Sequence, residues 1–279
     1  MRLDAHQHFW NYTPGEYDWI DESMSAIARS FVPADLQPHL KSQRFDGCVA
    51  VQARQTEEET SMLVELSKQC DIIKAVVGWV DLRRENIRQR LDHFSKEKII
   101  KGFRHVLQGE PDLDFMLQPS FTNGIAALQE YEFVYDILIF PRQLPNAYKL
   151  VKLFSRQTFV LDHIAKPDIK SGKQADWIAD IKNLSALPNV YCKISGMVTE
   201  GDWKNTSPDT FKMYIDHVVN CFGVERVMFG SDWPVCLVAA SYDQVVKILE
   251  ENTSDFTPTE KELLWGENCR KVYNIESEN

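Results

Sequence analysis

The feature that most constrains the fold is an eightfold alternation of apolar, β-branched-rich runs with segments of helical pattern. The eight runs are Arg2–His8, Phe45–Ala53, Ile72–Val80, Ile99–Val106, Phe133–Phe140, Thr158–Ile164, Val190–Ser195 and Arg226–Ser231. Several are apolar almost throughout, which is typical of parallel strands covered on both faces. Eight strand–helix units in succession predict an α/β fold, a (β/α)8 TIM barrel.

Local signals support the helices between these strands. Thr56 followed by Glu59 fits a capping box, and Thr257 with Pro258 opens a second helix with proline at its first position. The chain has 279 residues, a length that such barrels reach as one unit, and no linker rich in Pro, Gly or Ser divides it. We therefore expect a single domain over residues 1–279.

Two long irregular stretches follow the carboxyl ends of predicted strands. Trp10–Val32 comes after the first strand and Leu107–Pro119 after the fourth. Barrels of this class carry their active sites at the carboxyl ends of the strands. We expect both stretches to be loops over an active site.

Composition excludes several classes of function. Lys and Arg total 31 against 41 Asp and Glu, a net charge of -10, which would repel nucleic acids and anionic membranes. No run approaches the ~18 apolar residues that span a bilayer, and the amino-terminal residues lack the apolar run of a signal peptide. The six cysteines form no CxxC pair and are typical of reduced thiols. These features predict a cytoplasmic protein with neither nucleic-acid nor membrane partners.

Histidine and other polar residues collect at the carboxyl ends of the predicted strands. His6 and His8 end the first strand, and their spacing of two points both side chains to the same side, where they could share a metal ion. Alone, this HxH pattern also fits ordinary polar residues at a strand end. The other polar residues at predicted strand ends are Arg104 and His105 at the fourth strand, Asp162, His163 and Lys166 around the end of the sixth, and Asp232 after the eighth. Their collection on one rim predicts an active site there.

The motifs DAHQHFW, KGFRH, LDHIAKP, FGSDWP and WGENCRKVYNI resemble the lactonase branch of the amidohydrolase superfamily. That branch includes lactonases of L-fucono- and L-rhamnono-lactones and of 2-pyrone-4,6-dicarboxylate, and the resemblance spans nearly the whole chain. His6 and His8 match the family's HxH, His163 its later histidine and Asp232 its strand-eight aspartate. The resemblance implies a hydrolase of carbohydrate metabolism in which Asp232 is the general base that activates water.

Two departures from the superfamily pattern bear on its metal content. The fifth strand carries no histidine at its end and offers only Asp136, and Lys101 lies in the middle of the fourth strand. These departures argue against two metal ions bridged by a carboxylated lysine. One divalent ion, zinc above all, or none fits the pattern better.

Opening a lactone requires a nucleophilic water, a polarised carbonyl and a route for the ring oxygen to leave. An aspartate with its reference pKa of ~3.9 is ionised at pH 7 and can accept a proton from water, although it is a weak base. A zinc ion would help by bringing the pKa of water to ~7. In a metal-free enzyme, His105 or Arg104 must stabilise the developing oxyanion. The predicted catalytic residues are Asp232, His105 and His163, and the predicted metal ligands are His6, His8, His163 and Asp232.

Aromatic and basic residues predict the surface that binds the substrate. An indole face covers the apolar face of a sugar ring, with packing inside the loops as the alternative for each tryptophan. A basic residue after a strand could bind either a hydroxyl or a carboxylate, or pair with Asp136, Asp162 or Asp81 instead. The predicted substrate-binding residues are Trp10, Trp19, Trp233, Arg54, Arg104 and Lys166.

The sequence therefore favours a hydrolase that opens an aldonic acid lactone derived from a deoxy sugar. Three alternatives stay open. They are a lactone that bears carboxylates, metal-dependent decarboxylation of an aromatic acid on the same barrel, and non-catalytic sugar binding. The missing strand-five histidine weighs against the decarboxylase, and the complete His/Asp set weighs against a binding protein.

Overall fold

The computed structural model describes residues 1–276, which contain a sheet of eight parallel strands paired in chain order. The strands are β1 (Leu3–Gln7), β2 (Gly47–Val51), β3 (Ile73–Gly78), β4 (Ile100–His105), β5 (Val134–Ile137), β6 (Phe159–Leu161), β7 (Val190–Ile194) and β8 (Val227–Phe229). Each lies inside one of the predicted runs. The predicted (β/α)8 barrel is confirmed.

Backbone hydrogen bonds between the end of β1 and the residues after β8 close the barrel. The backbone N–H of Asp232 donates to the carbonyl of His6 at 2.8 Å, and the N–H of His8 donates to the carbonyl of Trp233 at 2.7 Å. Closure of this kind leaves the sheet without a free edge. It also joins the HxH motif to the strand-eight aspartate, although the two lie at opposite ends of the sequence.

Helices cover the outside of the barrel. They are α1 (Pro33–Ser42), α2 (Glu57–Gln69), α3 (Ile87–Phe94), α4 (Pro119–Glu130), α5 (Leu144–Leu153), α6 (Ala175–Ser185), α7 (Met197–Glu200), α8 (Pro208–Phe222), α9 (Tyr242–Asn252), α10 (Pro258–Glu262) and α11 (Asn268–Val272). On α8, for example, Phe211, Ile215 and Val218 share one buried face at helical spacing. None of the helices in the described residues has the length and apolar character needed to cross a bilayer.

Both predicted helix starts are present, with one difference in detail. At α10 the capping box is complete, with Thr257 and Glu260 each bonded to the other's backbone N–H. At α2 the Thr56 hydroxyl accepts from the N–H of Glu59, but the Glu59 carboxylate accepts from the N–H groups of Ala53 and Arg54. Glu59 thus anchors the loop after β2 rather than completing the box.

Candidate active site

A bulge in β1 turns both histidines of the HxH motif into the barrel. Before the bulge, Leu3 and Ala5 pack in the apolar interior, and the register with β2 then shifts within the strand. Bulges re-aim side chains in this way. Beyond it, His6 and His8 are buried with their Nε2 atoms 3.3 Å apart.

Three histidines each have a polar partner at Nδ1 inside the protein. His6 Nδ1 lies 3.2 Å from the Asp162 carboxylate and 3.2 Å from Lys193 Nζ, His8 Nδ1 lies 2.8 Å from the Val51 carbonyl, and His163 Nδ1 lies 2.9 Å from the Ser195 hydroxyl. A carbonyl only accepts, so His8 carries a proton on Nδ1 and keeps a lone pair on Nε2. Arg104, which can only donate, lies 3.2 Å from the Nε2 of His6, so this nitrogen accepts and the proton of the neutral ring is on Nδ1, toward Asp162.

The three Nε2 atoms converge on the carboxylate of Asp232. Its Oδ1 atom lies 3.3 Å from the Nε2 of His8 and 3.9 Å from those of His6 and His163. Burial lowers the pKa of His6 and of His163 well below 6.5, so both rings are neutral at neutral pH. Burial by itself raises the pKa of Asp232, but the neighbouring imidazoles of His163 and His8 outweigh it and hold that pKa below 3.8.

These four residues, His6, His8, His163 and Asp232, are called the His/Asp cluster below. The donor atoms of His6, His8 and Asp232 lie close enough together to hold one ion, and those of His6, Asp162 and His163 form a second such group. Imidazole nitrogens and an ionised carboxylate are ligands that zinc prefers, and the contacts at Nδ1 fix the ring orientations. The cluster therefore suits a divalent metal ion.

His163 reaches the cluster from a left-handed turn. Its φ angle and those of the next three residues through Lys166 are 53, 49, 61 and 50°. Left-handed backbone costs roughly 1–2 kcal/mol for each residue with a side chain. The turn is held by Trp177, whose Nε1 donates to the carbonyl of Ile164 at 2.7 Å. Because the turn begins directly after Leu161, β6 is shorter than the predicted strand. The turn places both His163 and Lys166 in the wall of a cavity.

A cavity of about 470 Å³ opens beside the cluster. This volume is within the range of small-molecule sites. Both predicted loops contribute to its walls, the first through Glu16, Asp18 and Trp19 and the second through Gln108 and Gly109. The other predicted residues that line it are His8, Arg54, Arg104, His163, Lys166 and Asp232.

His105 does not reach this cavity. Side chains alternate along a strand, so Arg104 points into the barrel and His105 points outward. There the Nε2 of His105 lies 2.7 Å from Glu110 Oε1, and its ring stacks on Phe115 with centroids 5.0 Å apart. The placement of His105 therefore does not support the predicted catalytic role.

Two of the three predicted substrate-binding tryptophans also lie outside the cavity. Trp10 and Trp233 are each 1% exposed, and both rings pack against the ring of Phe31, at centroid distances of 5.5 and 5.1 Å. Trp19 lines the cavity and is 37% exposed. Packing inside the loops accounts for Trp10 and Trp233, whereas Trp19 has a face available to a ligand.

A buried charged network lies behind the cluster, in the interior of the barrel. Lys193 Nζ lies 2.5 Å from Asp136 and 3.1 Å from Asp162, and Arg104 lies 3.0 Å from Asp162. The Tyr273 hydroxyl, just past α11, donates to Asp136 at 2.9 Å. Burial raises the pKa of Asp162, but Lys193 outweighs it and holds that pKa well below 3.8. For Arg104, the alternative of pairing with Asp162 is thus confirmed.

The first loop supplies a cavity residue that the sequence pattern did not single out. Glu16 Oε2 lies 2.7 Å from Arg54 Nη1. The two residues are far apart along the chain, and an exposed glutamate in a loop carries no local signal of such a pairing. Only the position of its loop, directly after a strand end, could have indicated Glu16.

Comparison with known proteins finds similar chains over nearly the full length of this one. A family model described as amidohydrolase matches residues 3–275. An L-fucono-1,5-lactonase of Burkholderia multivorans is 39% identical over 99% of this chain and 96% of that protein. An L-fucono-1,5-lactonase of Burkholderia ambifaria is 35% identical over 87% of this chain and 83% of its own. A crystal structure of an amidohydrolase from Burkholderia multivorans with bound zinc superposes with a TM-score of 0.96 at 39% identity, over 99% of this chain and 100% of that one.

Proposed function

This chain belongs to the amidohydrolase family, and we propose that it is a lactonase that hydrolyses a sugar lactone of the L-fucono-1,5-lactone type. One observation carries the proposal. Three histidine Nε2 atoms and an ionised aspartate converge beside a cavity of about 470 Å³, in a chain 39% identical to an L-fucono-1,5-lactonase over 99% of its length.

The proposed cofactor is one zinc ion held by the four residues of the His/Asp cluster. The donor set and its bonds on Nδ1 support this assignment, as does the zinc in the superposed relative. When bound, zinc would polarise a carbonyl oxygen and lower the pKa of water.

Asp232 is the proposed general base. Its carboxylate lines the cavity and is ionised at neutral pH, so it can accept a proton from the attacking water. Water oxygen then bonds to the lactone carbonyl carbon, the bond from that carbon to the ring oxygen breaks, and the proton passes to the ring oxygen. The product is an open-chain aldonic acid, which ionises at neutral pH.

Arg104, Arg54, Lys166 and Trp19 are the proposed contacts to the substrate. Arg104 lines the cavity, and its guanidinium can donate to the oxygen that becomes negative during attack. Arg54 and Lys166 offer N–H donors to sugar hydroxyls, and Trp19 offers an indole face.

A proton-release assay against a panel of lactones tests the function. The panel contains L-fucono-1,5-lactone, other aldono-1,5- and 1,4-lactones, and 2-pyrone-4,6-dicarboxylate. We expect turnover of a deoxy-sugar lactone well above the rate with a heat-inactivated sample, which corrects for spontaneous ring opening. Turnover of no lactone, or release of carbon dioxide from an aromatic acid instead, would overturn the proposal.

A further inference from the structure

Each cationic side chain found in the walls of the cavity is paired with a carboxylate. The pairs are Arg54 with Glu16 at 2.7 Å, Lys166 with Glu200 at 3.2 Å and Arg104 with Asp162 at 3.0 Å. Unpaired cations at these positions would attract a carboxylate on the substrate. Paired in this way, they present little net positive charge to a ligand.

The Arg54 and Lys166 pairs lie further from the core than the Arg104 pair. The side chains of Arg54 and Glu16 are 24% and 50% exposed, and those of Lys166 and Glu200 are 16% and 19% exposed. The backbone of Arg54 is also held in place, because its N–H donates to the Glu59 carboxylate at 2.7 Å. A ligand carboxylate could bind these two cations only by displacing a glutamate or by lying against it.

Folding stability does not explain the two outer pairs. Partly exposed ion pairs typically contribute about 0–1 kcal/mol to stability. Their guanidinium and ammonium groups keep further N–H donors for neutral hydroxyls, since Arg carries five and Lys three. The two glutamates therefore remove attraction for an anion while leaving donors for a polyol.

We propose that Glu16 and Glu200 are specificity-determining residues, which neutralise Arg54 and Lys166 and so restrict the cavity to uncharged sugar lactones. This inference rests on the proposed lactonase function and names the substrate class within it. Discrimination of this kind works by a penalty against the wrong ligand, here a carboxylate facing a glutamate, rather than by a new contact to the right one.

The variants Glu16→Gln and Glu200→Gln test the proposal, with Glu22→Gln as the matched control. Glu22 is exposed in the same loop as Glu16, and its substitution removes the same charge away from the cavity. The measurement is kcat/KM for a neutral sugar lactone and for the matched lactone whose C6 is a carboxylate.

We expect the ratio of kcat/KM for the anionic over the neutral lactone to rise about 10-fold in each variant, the size of one charge-assisted hydrogen bond. Glu22→Gln should leave the ratio unchanged. An unchanged ratio in both Glu16→Gln and Glu200→Gln, or an equal rise in the control, overturns the proposal. Because the two glutamates lie on different elements, each variant is informative even if the other does not fold.

Calorimetric titration with an open-chain sugar dicarboxylate separates this inference from the proposed function. The dicarboxylate has no lactone bond to cleave, so its affinity does not depend on turnover. Tighter binding by Glu16→Gln or Glu200→Gln than by the wild type supports the charge pairing, and equal binding overturns it. A wild type that hydrolyses no lactone would refute only the function proposed above.

Discussion

Asp232→Asn is the substitution with the most definite expected result. Asp232 is 3% exposed, and its backbone has a φ of 57°, a left-handed conformation that asparagine tolerates better than most residues. Of the two hydrogen bonds that close the barrel here, one is donated by the Asp232 backbone N–H and the other is accepted by the Trp233 carbonyl, and the substitution retains both. Asparagine therefore keeps the shape and the closure, but it removes the negative charge and the proton acceptor.

The expected loss follows from the role of the carboxylate. General-base catalysis contributes about 10²–10⁴-fold, which corresponds to roughly 2.7–5.4 kcal/mol of transition-state stabilisation. We expect kcat for the sugar lactone to fall by about that factor, with the fold retained. Asp216→Asn, on the exposed surface of α8, is the control for the chemical change alone.

Steady-state proton release and elemental analysis must be made on the same protein sample. Asp232 lies 3.3 Å from the Nε2 of His8, so its loss also removes one metal ligand. If added zinc restores full turnover to Asp232→Asn, the carboxylate acts only as a ligand. If the variant opens the lactone at nearly the wild-type rate without added metal, the proposed mechanism is wrong.

Three further predictions concern the metal, the left-handed turn and a buried glutamate. Protein purified without chelator should hold about one equivalent of zinc. Chelation should lower both turnover and the thermal midpoint, since an ion bound only by the folded state stabilises that state. Unchanged turnover after complete removal of the zinc would contradict this prediction. Gly196→Ala places a Cβ 2.6 Å from the His163 Nδ1 atom, so kcat/KM should fall by about 10²-fold. Gly172→Ala is the control, because Gly172 has a similarly positive φ of 68° but an added Cβ there meets no atom closer than 3.9 Å. This variant should have wild-type kinetics. Equal losses in both variants would exclude the clash as the cause. Burial raises the pKa of Glu59 from 4.5 to about 7, so the folded state binds this proton between those pH values and loses stability as pH rises through them. Glu59→Gln should therefore gain up to about 3 kcal/mol over the wild type at pH 8 but little at pH 4.5, as measured by denaturant unfolding; an equal difference at both pH values would contradict the assignment.

The sequence by itself determined the barrel and the rim on which its chemistry lies. Apolar runs alternating with helical patterns are local signals, and parallel strands joined by helices have few ways to pack. His6, His8, His163 and Asp232 could be assigned to the site because each ends or follows a predicted strand, and every such end meets at the same face of the barrel.

Only the tertiary structure decided which way the side chains at those strand ends point. Simple alternation from Leu3 and Ala5 would place Gln7 inside, and it is the bulge in β1 that brings in His6 and His8 instead. On β4 the alternation is regular, and the placement of His105 outside the barrel follows from that of its neighbour, Arg104. The register of each strand is set by its partner strand, and a shift of one residue reverses every side chain beyond it.

The charge of the cavity was likewise decided by contacts between distant segments. The positive side chains of Arg54 and Lys166 are visible in the sequence, but their glutamate partners lie in a loop and at the end of a short helix. The left-handed turn at His163 contains no glycine that would indicate it, and it depends on a hydrogen bond from Trp177. Ion pairs and strained turns such as these arise from the packing of segments that are remote in sequence, so no local pattern of residues encodes them.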